Sequence, residues 1–493
     1  MCTCTVVRAG IFITTPRRGR RLGSYPIQFL SYRNKTTSAH HRITHPQARP
    51  DTAKHVDIDP IAYEKQVYER GLKYQRPPFT FKPLEWESLA AERMSADARG
   101  YVLGCAGTGE TARKNREGFA KWSIVPRRMG IHLDEDGDGE GQKQKKIFPD
   151  LGVEIFGRTL PCPIACAPIG VQKIMNPDGE AAAARAAARE GVPFIMSTAS
   201  STSIEDVAKA NEAGAEEAGL DKGVAERWFQ LYWPAREHDD ITASMLGRAK
   251  KAGFSVLVVT LDTYILGWRP SDMDNGYNPF LRSDQIGIAI GLTDPVFQAN
   301  FQRKYKRTVE QDLSAAAAEW TRAVFPGAEH SLEDLHFLRK HWDGPIVLKG
   351  IQHPADASEI AESGLVDGIV VSNHGGRQAD GGVSSLEMLP KIVNGHGIST
   401  SGRAGSRKVE VLFDSGIRSG ADIAKAMALG AKMCLIGRPY VYGLALGGEE
   451  GVAHVLRSLL GDLELTLHLS GIRGVGQRQL NRYCLVGEGE AVE

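Results

Sequence analysis

From about residue 163 onward, short apolar runs recur along the chain, each followed by a stretch of helix-forming residues. The runs lie at 163–169, 194–198, 228–232, 255–260, 345–349, 368–372, 409–414 and 433–437. Their apolar positions are consecutive rather than alternating, which is the pattern of strands buried on both faces. The intervening segments include 179–190, 204–213, 240–252, 354–363, 385–393 and 420–429. Eight buried strands, each followed by a helix, predict an α/β fold, a parallel (β/α)8 barrel. A doubly wound open sheet is the alternative architecture, and the count of eight favours closure.

Some stretches break the alternation. Residues 270–344 far exceed an ordinary strand-to-helix connection, and a segment that long is expected to be a lid, a binding segment or an insertion. Residues 394–408, rich in Gly, Ser and basic residues, read as a flexible surface excursion. Residues 134–146 read as a charged, solvated loop. Asp134, Asp136 and Asp138 resemble the start of a calcium loop, but the Gly and terminal Glu of an EF-hand are not at the required spacing. Residues 58–129 read as mostly helical and are expected to precede and cap the barrel. The predicted organisation is a basic leader at 1–55, a helical cap and linker at 56–150, and a barrel at 151–493 carrying the 270–344 insertion.

Composition narrows the function classes. A chain of 493 residues with 42% hydrophobic positions suffices for one large core, and its net charge of +1 gives no global field toward nucleic acid or an anionic membrane. No apolar run is long enough to span a bilayer. Seven cysteines in a chain this long do not make a disulfide scaffold, and Cys162 and Cys166 sit in a strand-like run where they pack as small hydrophobes. No pair of CxxC motifs argues for a metal. The first 50 residues hold no Asp or Glu but eight Arg, from Arg8 to Arg49, like a mitochondrial transit peptide; a basic tail is the alternative, and mitochondrial and cytoplasmic locations both stay open.

The densest chemistry lies at 372–378, Ser-Asn-His-Gly-Gly-Arg-Gln, directly after the apolar run ending in Val371. It sets a proton acceptor, His374, and a permanent cation, Arg377, three residues apart with two glycines between them. Such glycines allow close backbone approach to a ligand, an imidazole takes a proton near neutral pH, and a guanidinium grips a carboxylate at two points.

Other polar residues gather at the same ends of the other runs, where a (β/α)8 barrel builds its active site. They are Pro168-Ile169-Gly170, Ser197, Gln230 with Tyr232, Thr260 with Asp262 and then Arg269, Lys349, Asp414-Ser415-Gly416-Ile417-Arg418, and Gly437-Arg438. Asp262 and Lys349, charged and adjoining apolar runs, need partners that one barrel mouth supplies. The last two clusters offer exposed N–H groups and fixed cations where barrels hold a phosphate.

These ordered motifs resemble those of the FMN-dependent α-hydroxy acid oxidoreductases, the family of glycolate oxidase, lactate oxidase, mandelate dehydrogenase and lactate 2-monooxygenase. The resemblance runs from Tyr101 to the end of the barrel. It implies FMN as cofactor, with Pro168, Ile169, Gly170, Ser197, Gln230, Thr260, Lys349 and Ser372 lining the flavin. Asp414, Ser415, Gly416, Ile417, Arg418, Gly437 and Arg438 would hold its ribityl chain and phosphate. Tyr101, Tyr232, Arg269 and Arg377 would bind the substrate, His374 would be the base, and Asp262 its partner. It further implies oxidation of a small L-2-hydroxy acid to the 2-keto acid, oxygen as second substrate, and a homotetramer.

Residues 266–272 (Leu-Gly-Trp-Arg-Pro-Ser-Asp), Gly170 and Phe325-Pro326-Gly327 are closer to the lactate 2-monooxygenase branch, so oxidative decarboxylation stays open. A phosphate-binding barrel isomerase is the non-redox alternative, against which the two arginines argue. Ala379, Cys105 and Ser415 depart from the common family pattern without removing a reacting group.

Overall fold

The computed structural model describes residues 62–128, 148–220, 225–281, 286–395, 398 and 409–490. The basic leader and the 134–146 segment lie outside the described residues, as does nearly all of the 394–408 stretch.

Eight parallel strands close a barrel: β1 Ile164–Cys166, β2 Phe194–Ser197, β3 Arg227–Tyr232, β4 Val256–Thr260, β5 Ile346–Ile351, β6 Gly368–Val371, β7 Glu410–Phe413 and β8 Met433–Ile436. Each strand pairs with the next in sequence, and β8 closes on β1 through Cys434 opposite Ile164 and Ile436 opposite Cys166. The predicted (β/α)8 barrel is the observed one, and all eight predicted runs supply its strands. Their composition explains why. In β4 the sequence Val-Leu-Val-Val-Thr is buried throughout, and β-branched side chains suit a pleated surface covered on both faces.

The surrounding helices start and stop on local chemistry. Ser203 caps helix Ile204–Glu217 by accepting from the Asp206 N–H, and Ser419 caps Gly420–Ala428 in the same way through Asp422. Pro354 opens helix Pro354–Ser363, and Gly364 ends it in the left-handed region at φ 65°. At the N-terminal end of the barrel, a hairpin of Val153–Ile155 and Arg158–Leu160 sets the Phe156 ring 5.8 Å from that of Trp228.

The stretch between β4 and β5 is largely helical rather than open loop. Pro295–Tyr305 and Leu313–Val324 bury Phe297, Phe301 and Trp320 against each other and the barrel, with Phe297 and Trp320 edge to face at 5.1 Å. Leu335–His341 then leads into β5. Ahead of the barrel come helices Ala62–Leu72, Trp86–Arg93, Ala96–Leu103 and Glu110–Ala120. The last two bring Tyr101 and Asn115 to the C-terminal mouth. Asn115 and Asn373 exchange amide hydrogen bonds of 2.8 and 2.7 Å, which ties the helix to the turn that carries His374. No helix among the described residues is long and apolar enough to cross a membrane.

Candidate active site

At the C-terminal mouth of the barrel lies a pocket of about 990 Å³, including its part open to solvent. Sixteen of the predicted site residues line it: Tyr101, Pro168, Ile169, Gly170, Tyr232, Arg269, Lys349, His374, Arg377, the five residues from Asp414 to Arg418, Gly437 and Arg438. Asp262, Ser197, Gln230, Thr260 and Ser372 form the layer behind that lining. Within that layer the Ser197 hydroxyl donates to Gln230 Oε1 at 2.9 Å, and Thr260 lies opposite both Tyr232 and Lys349 in the sheet.

The turn after β6 is built to project an imidazole. His374, Gly375 and Gly376 all take positive φ (57°, 67° and 75°), so three left-handed residues in succession reverse the chain tightly. A Cβ on Gly376 would meet the Ala112 backbone nitrogen at 2.5 Å, which restricts that position to glycine. His374 Nδ1 lies 2.9 Å from Asp262 Oδ1 and 3.1 Å from Thr263 Oγ1. With Nδ1–H donating to the carboxylate, Nε2 is the nitrogen left to accept a proton.

Gly350 makes room for this pair. It sits at φ 108° where β5 shifts register against β6, and a Cβ there would come within 2.9 Å of the Asp262 side chain.

The polar network extends beyond the pair. Lys349 Nζ donates to Ser372 Oγ at 2.9 Å and contacts Asp414 Oδ2 at 3.1 Å, and the Ser372 oxygen also accepts from the His374 N–H. Burial alone would raise the Asp262 carboxyl, but His374 and Lys349 outweigh it and hold it down at about 2. Burial lowers His374 below the usual imidazole value despite Asp262, so at neutral pH the ring is a neutral base beside an ionised carboxylate. Burial opposes the charge on Lys349 as well, yet Asp414 and Asp262 keep its pKa raised.

Two arginines face the same space. Arg377 is anchored by the carbonyls of Tyr101 (2.5 Å) and Gly104 (2.7 Å), and Arg269 by the Arg377 carbonyl (3.1 Å) and Gln378 Oε1 (2.5 Å). Among the described residues neither guanidinium is ion-paired with a carboxylate. Burial, with Arg269 next, pulls Arg377 down to about 9. Cations held this close in an enclosed mouth call for an anionic ligand. Burial raises Tyr101 and Tyr232, so both phenols stay protonated donors at neutral pH.

Beside the turn that carries His374, Ser415 and Gly416 take φ of 86° and 94°, a concave backbone next to Arg418 and Arg438. A Cβ on Gly416 would meet the Asn115 carbonyl at 2.6 Å. Arg438 is steered by carbonyls of Val102 (3.1 Å) and Gly375 (3.0 Å), and burial lowers Arg418.

The residues present fit the flavin mononucleotide that the motifs imply. Gln230 Nε2 is fully buried and has no partner among the described residues, a donor awaiting an acceptor on a ligand. Lys349 could offer the flavin a cation, and the Ser415–Gly416 backbone with Arg418 and Arg438 could hold its phosphate.

Of the departures from the family pattern, Ser415 is the informative one. Its hydroxyl donates to Asp414 Oδ1 at 2.7 Å and accepts from the Gly375 N–H at 3.1 Å, linking the turns after β6 and β7. Cys105 Sγ lies 3.5 Å from Arg438, and Ala379 is exposed.

The sequence reading missed much of the apolar lining: Val102, Met175, Ala199, Leu266, Phe280, Phe325, Leu435 and Val441 among others. Apart from Leu266 and Phe325, which fall in the motifs resembling the lactate 2-monooxygenase branch, these apolar residues carry no chemical signature that marks them as pocket lining.

Comparison with known proteins agrees with this geometry. The family profile described as FMN-dependent dehydrogenase matches residues 90–485. The chain is 57% identical over 430 residues to an FMN-dependent alpha-hydroxy acid dehydrogenase of Schizosaccharomyces pombe, covering 87% of this chain and 97% of that one. It is 36% identical to an L-lactate oxidase of Lysinibacillus sphaericus, over 81% of this chain and 91% of the relative. Among solved structures, mandelate oxidase with (S)-4-hydroxymandelic acid superposes with a TM-score of 0.65 at 32% identity, covering 83% of this chain and 99% of that one.

Proposed function

The chain belongs to the FMN-dependent dehydrogenases that act on α-hydroxy acids, and from that premise we propose how its residues divide the work on an L-2-hydroxy acid. The observation that carries the proposal is the Asp262–His374 pair in one pocket with two guanidiniums that lack a carboxylate partner.

Arg269 and Arg377 clamp the substrate carboxylate and fix the carbinol carbon. Tyr101 and Tyr232 donate hydrogen bonds to the carboxylate and hydroxyl. His374 Nε2 removes the substrate proton, and Asp262 stabilises the imidazolium that forms. FMN, when held there, would supply the two-electron acceptor for this oxidation. Lys349 and Gln230 would face the flavin ring, with Pro168, Ile169, Gly170, Ser197, Thr260 and Ser372 around it. Asp414 to Arg418, Gly437 and Arg438 hold the ribityl chain and phosphate. Lys349 offsets negative charge gathered on reduction. Oxygen would be the second substrate, and the chain would work as a homotetramer, as the family resemblance implies.

The test is anaerobic mixing with L-2-hydroxy acids followed by admission of oxygen. Loss of flavin colour, then 2-keto acid and stoichiometric peroxide, is the expected result; no loss of colour with any L-2-hydroxy acid contradicts the proposal. The segment 270–344 contributes Phe280 and Phe325 to the pocket, which supports a second reading in which product is retained and decarboxylated. A decarboxylated acid in place of peroxide would favour that reading.

A further inference from the structure

We infer that the side chain of the physiological substrate is bulky and apolar, an aryl or branched-alkyl group, received by a wall made of Tyr232, Phe280, Phe325 and Leu266. The inference rests on the function proposed above.

A 2-hydroxy acid presents four groups on its reacting carbon. The carboxylate goes to Arg269 and Arg377, the hydroxyl to His374 and the tyrosines, and the hydrogen toward the cofactor. The side chain takes the remaining direction, and the pocket surface left over is apolar. The Phe325 ring lies 5.1 Å from Tyr232 at 51° and 5.1 Å from Phe280 at 57°, so the three tilted rings form one continuous aromatic series. All three, and Leu266, line the pocket.

These residues come from separate stretches of chain. Phe280 follows helix Pro270–Asp274, Phe325 caps helix Leu313–Val324, and Leu266 lies on the connection just after β4. The helix that ends at Phe325 is held by the Phe297–Trp320 contact, and Phe280 is itself buried against Phe325, so the wall is a fixed part of the fold. Among the described residues the four members of the wall carry no charge, and a second carboxylate or a charged side chain on the substrate there would be desolvated without a partner. A substrate whose side chain is a hydrogen, such as glycolate, would leave the wall uncovered. Each methylene-sized contact in an apolar pocket is worth on the order of tenfold in selectivity.

The experiment measures the rate constant and Kd for anaerobic flavin reduction with glycolate, L-lactate, L-2-hydroxy-4-methylpentanoate and L-3-phenyllactate. The dissociation constants of glyoxylate and phenylpyruvate, followed by perturbation of the flavin spectrum, give a readout that needs no turnover. We expect phenyllactate or the branched acid to exceed glycolate by more than about tenfold. Phe325→Ala should collapse that ratio and weaken phenylpyruvate more than glyoxylate, with the milder Phe280→Leu moving both quantities in the same direction. FMN content checks that each variant is folded. Glycolate reducing the flavin as well as the larger acids, with ratios unmoved in both variants, would overturn the inference while leaving the proposed function intact. Failure of every acid to reduce the flavin would overturn the function itself, and the inference with it.

Discussion

Replacing Asp262 by Asn removes one charge from the proposed catalytic pair and little else. The Oδ1 oxygen that accepts from His374 is retained as the amide oxygen, so the imidazole tautomer stays as it is. The new NH2 falls where Asp262 Oδ2 lies buried without a partner among the described residues. Leaving that donor unsatisfied costs about 1–3 kcal/mol of stability.

The kinetic effect is larger. When His374 takes a proton, the imidazolium faces Lys349 and Arg269, both of which oppose its charge, and Asp262 is the group that offsets them. At about 4 Å between charge centres and an effective dielectric of about 20, that interaction is worth about 4 kcal/mol. The rate constant of flavin reduction should therefore fall by about 10³, with FMN content unchanged.

The assay is anaerobic stopped-flow loss of flavin colour across pH. Because Asp262 raises the pKa of His374, its loss lowers that value further and leaves the base neutral over a wider range. Raising the pH should thus not restore the rate. An Asp262→Asn enzyme within about tenfold of the parent, or one rescued by alkali, would refute the assignment of the carboxylate as stabiliser of the imidazolium.

In the parent enzyme His374 titrates below the ordinary imidazole value of 6.5, so the second-order constant for flavin reduction should stay level as pH falls to that value and drop only beneath it. An acid limb centred above 6.5 would contradict this. Arg377→Lys keeps the charge but loses the planar fork fixed by the Tyr101 and Gly104 carbonyls. A loss of about 2 kcal/mol, or about thirtyfold in that constant, is expected at unchanged FMN content. Gly416→Ala sets a Cβ 2.6 Å from the Asn115 carbonyl at φ 94°, and should yield protein that is purified colourless and regains little flavin on titration with FMN.

The strands were legible because their burial on both faces leaves an uninterrupted apolar run, and β4 is the plainest case. Site residues such as His374, Arg377 and Lys349 were legible because each is a costly group at the end of such a run. The reciprocal amide pair of Asn115 and Asn373 was not, since two asparagines 258 positions apart carry no mark of their contact. Nor was the aromatic wall. Phe280 and Phe325 reach the mouth through tertiary packing within the 270–344 stretch, and length alone suggested a lid, a binding segment or an insertion there. Ser415 was noticed as a departure from the family pattern, but its role in joining two turns depends on a positive φ that no residue name reveals.

The account stands or falls on His374 as the group that accepts the substrate proton. His374→Gln, purified with FMN and mixed anaerobically with the best L-2-hydroxy acid of the parent enzyme, tests this most directly. The account predicts that the variant keeps its colour while the parent loses it, a difference in rate of about 10² to 10⁴ or more. Rapid bleaching of the variant, at a rate near the parent's, would contradict it.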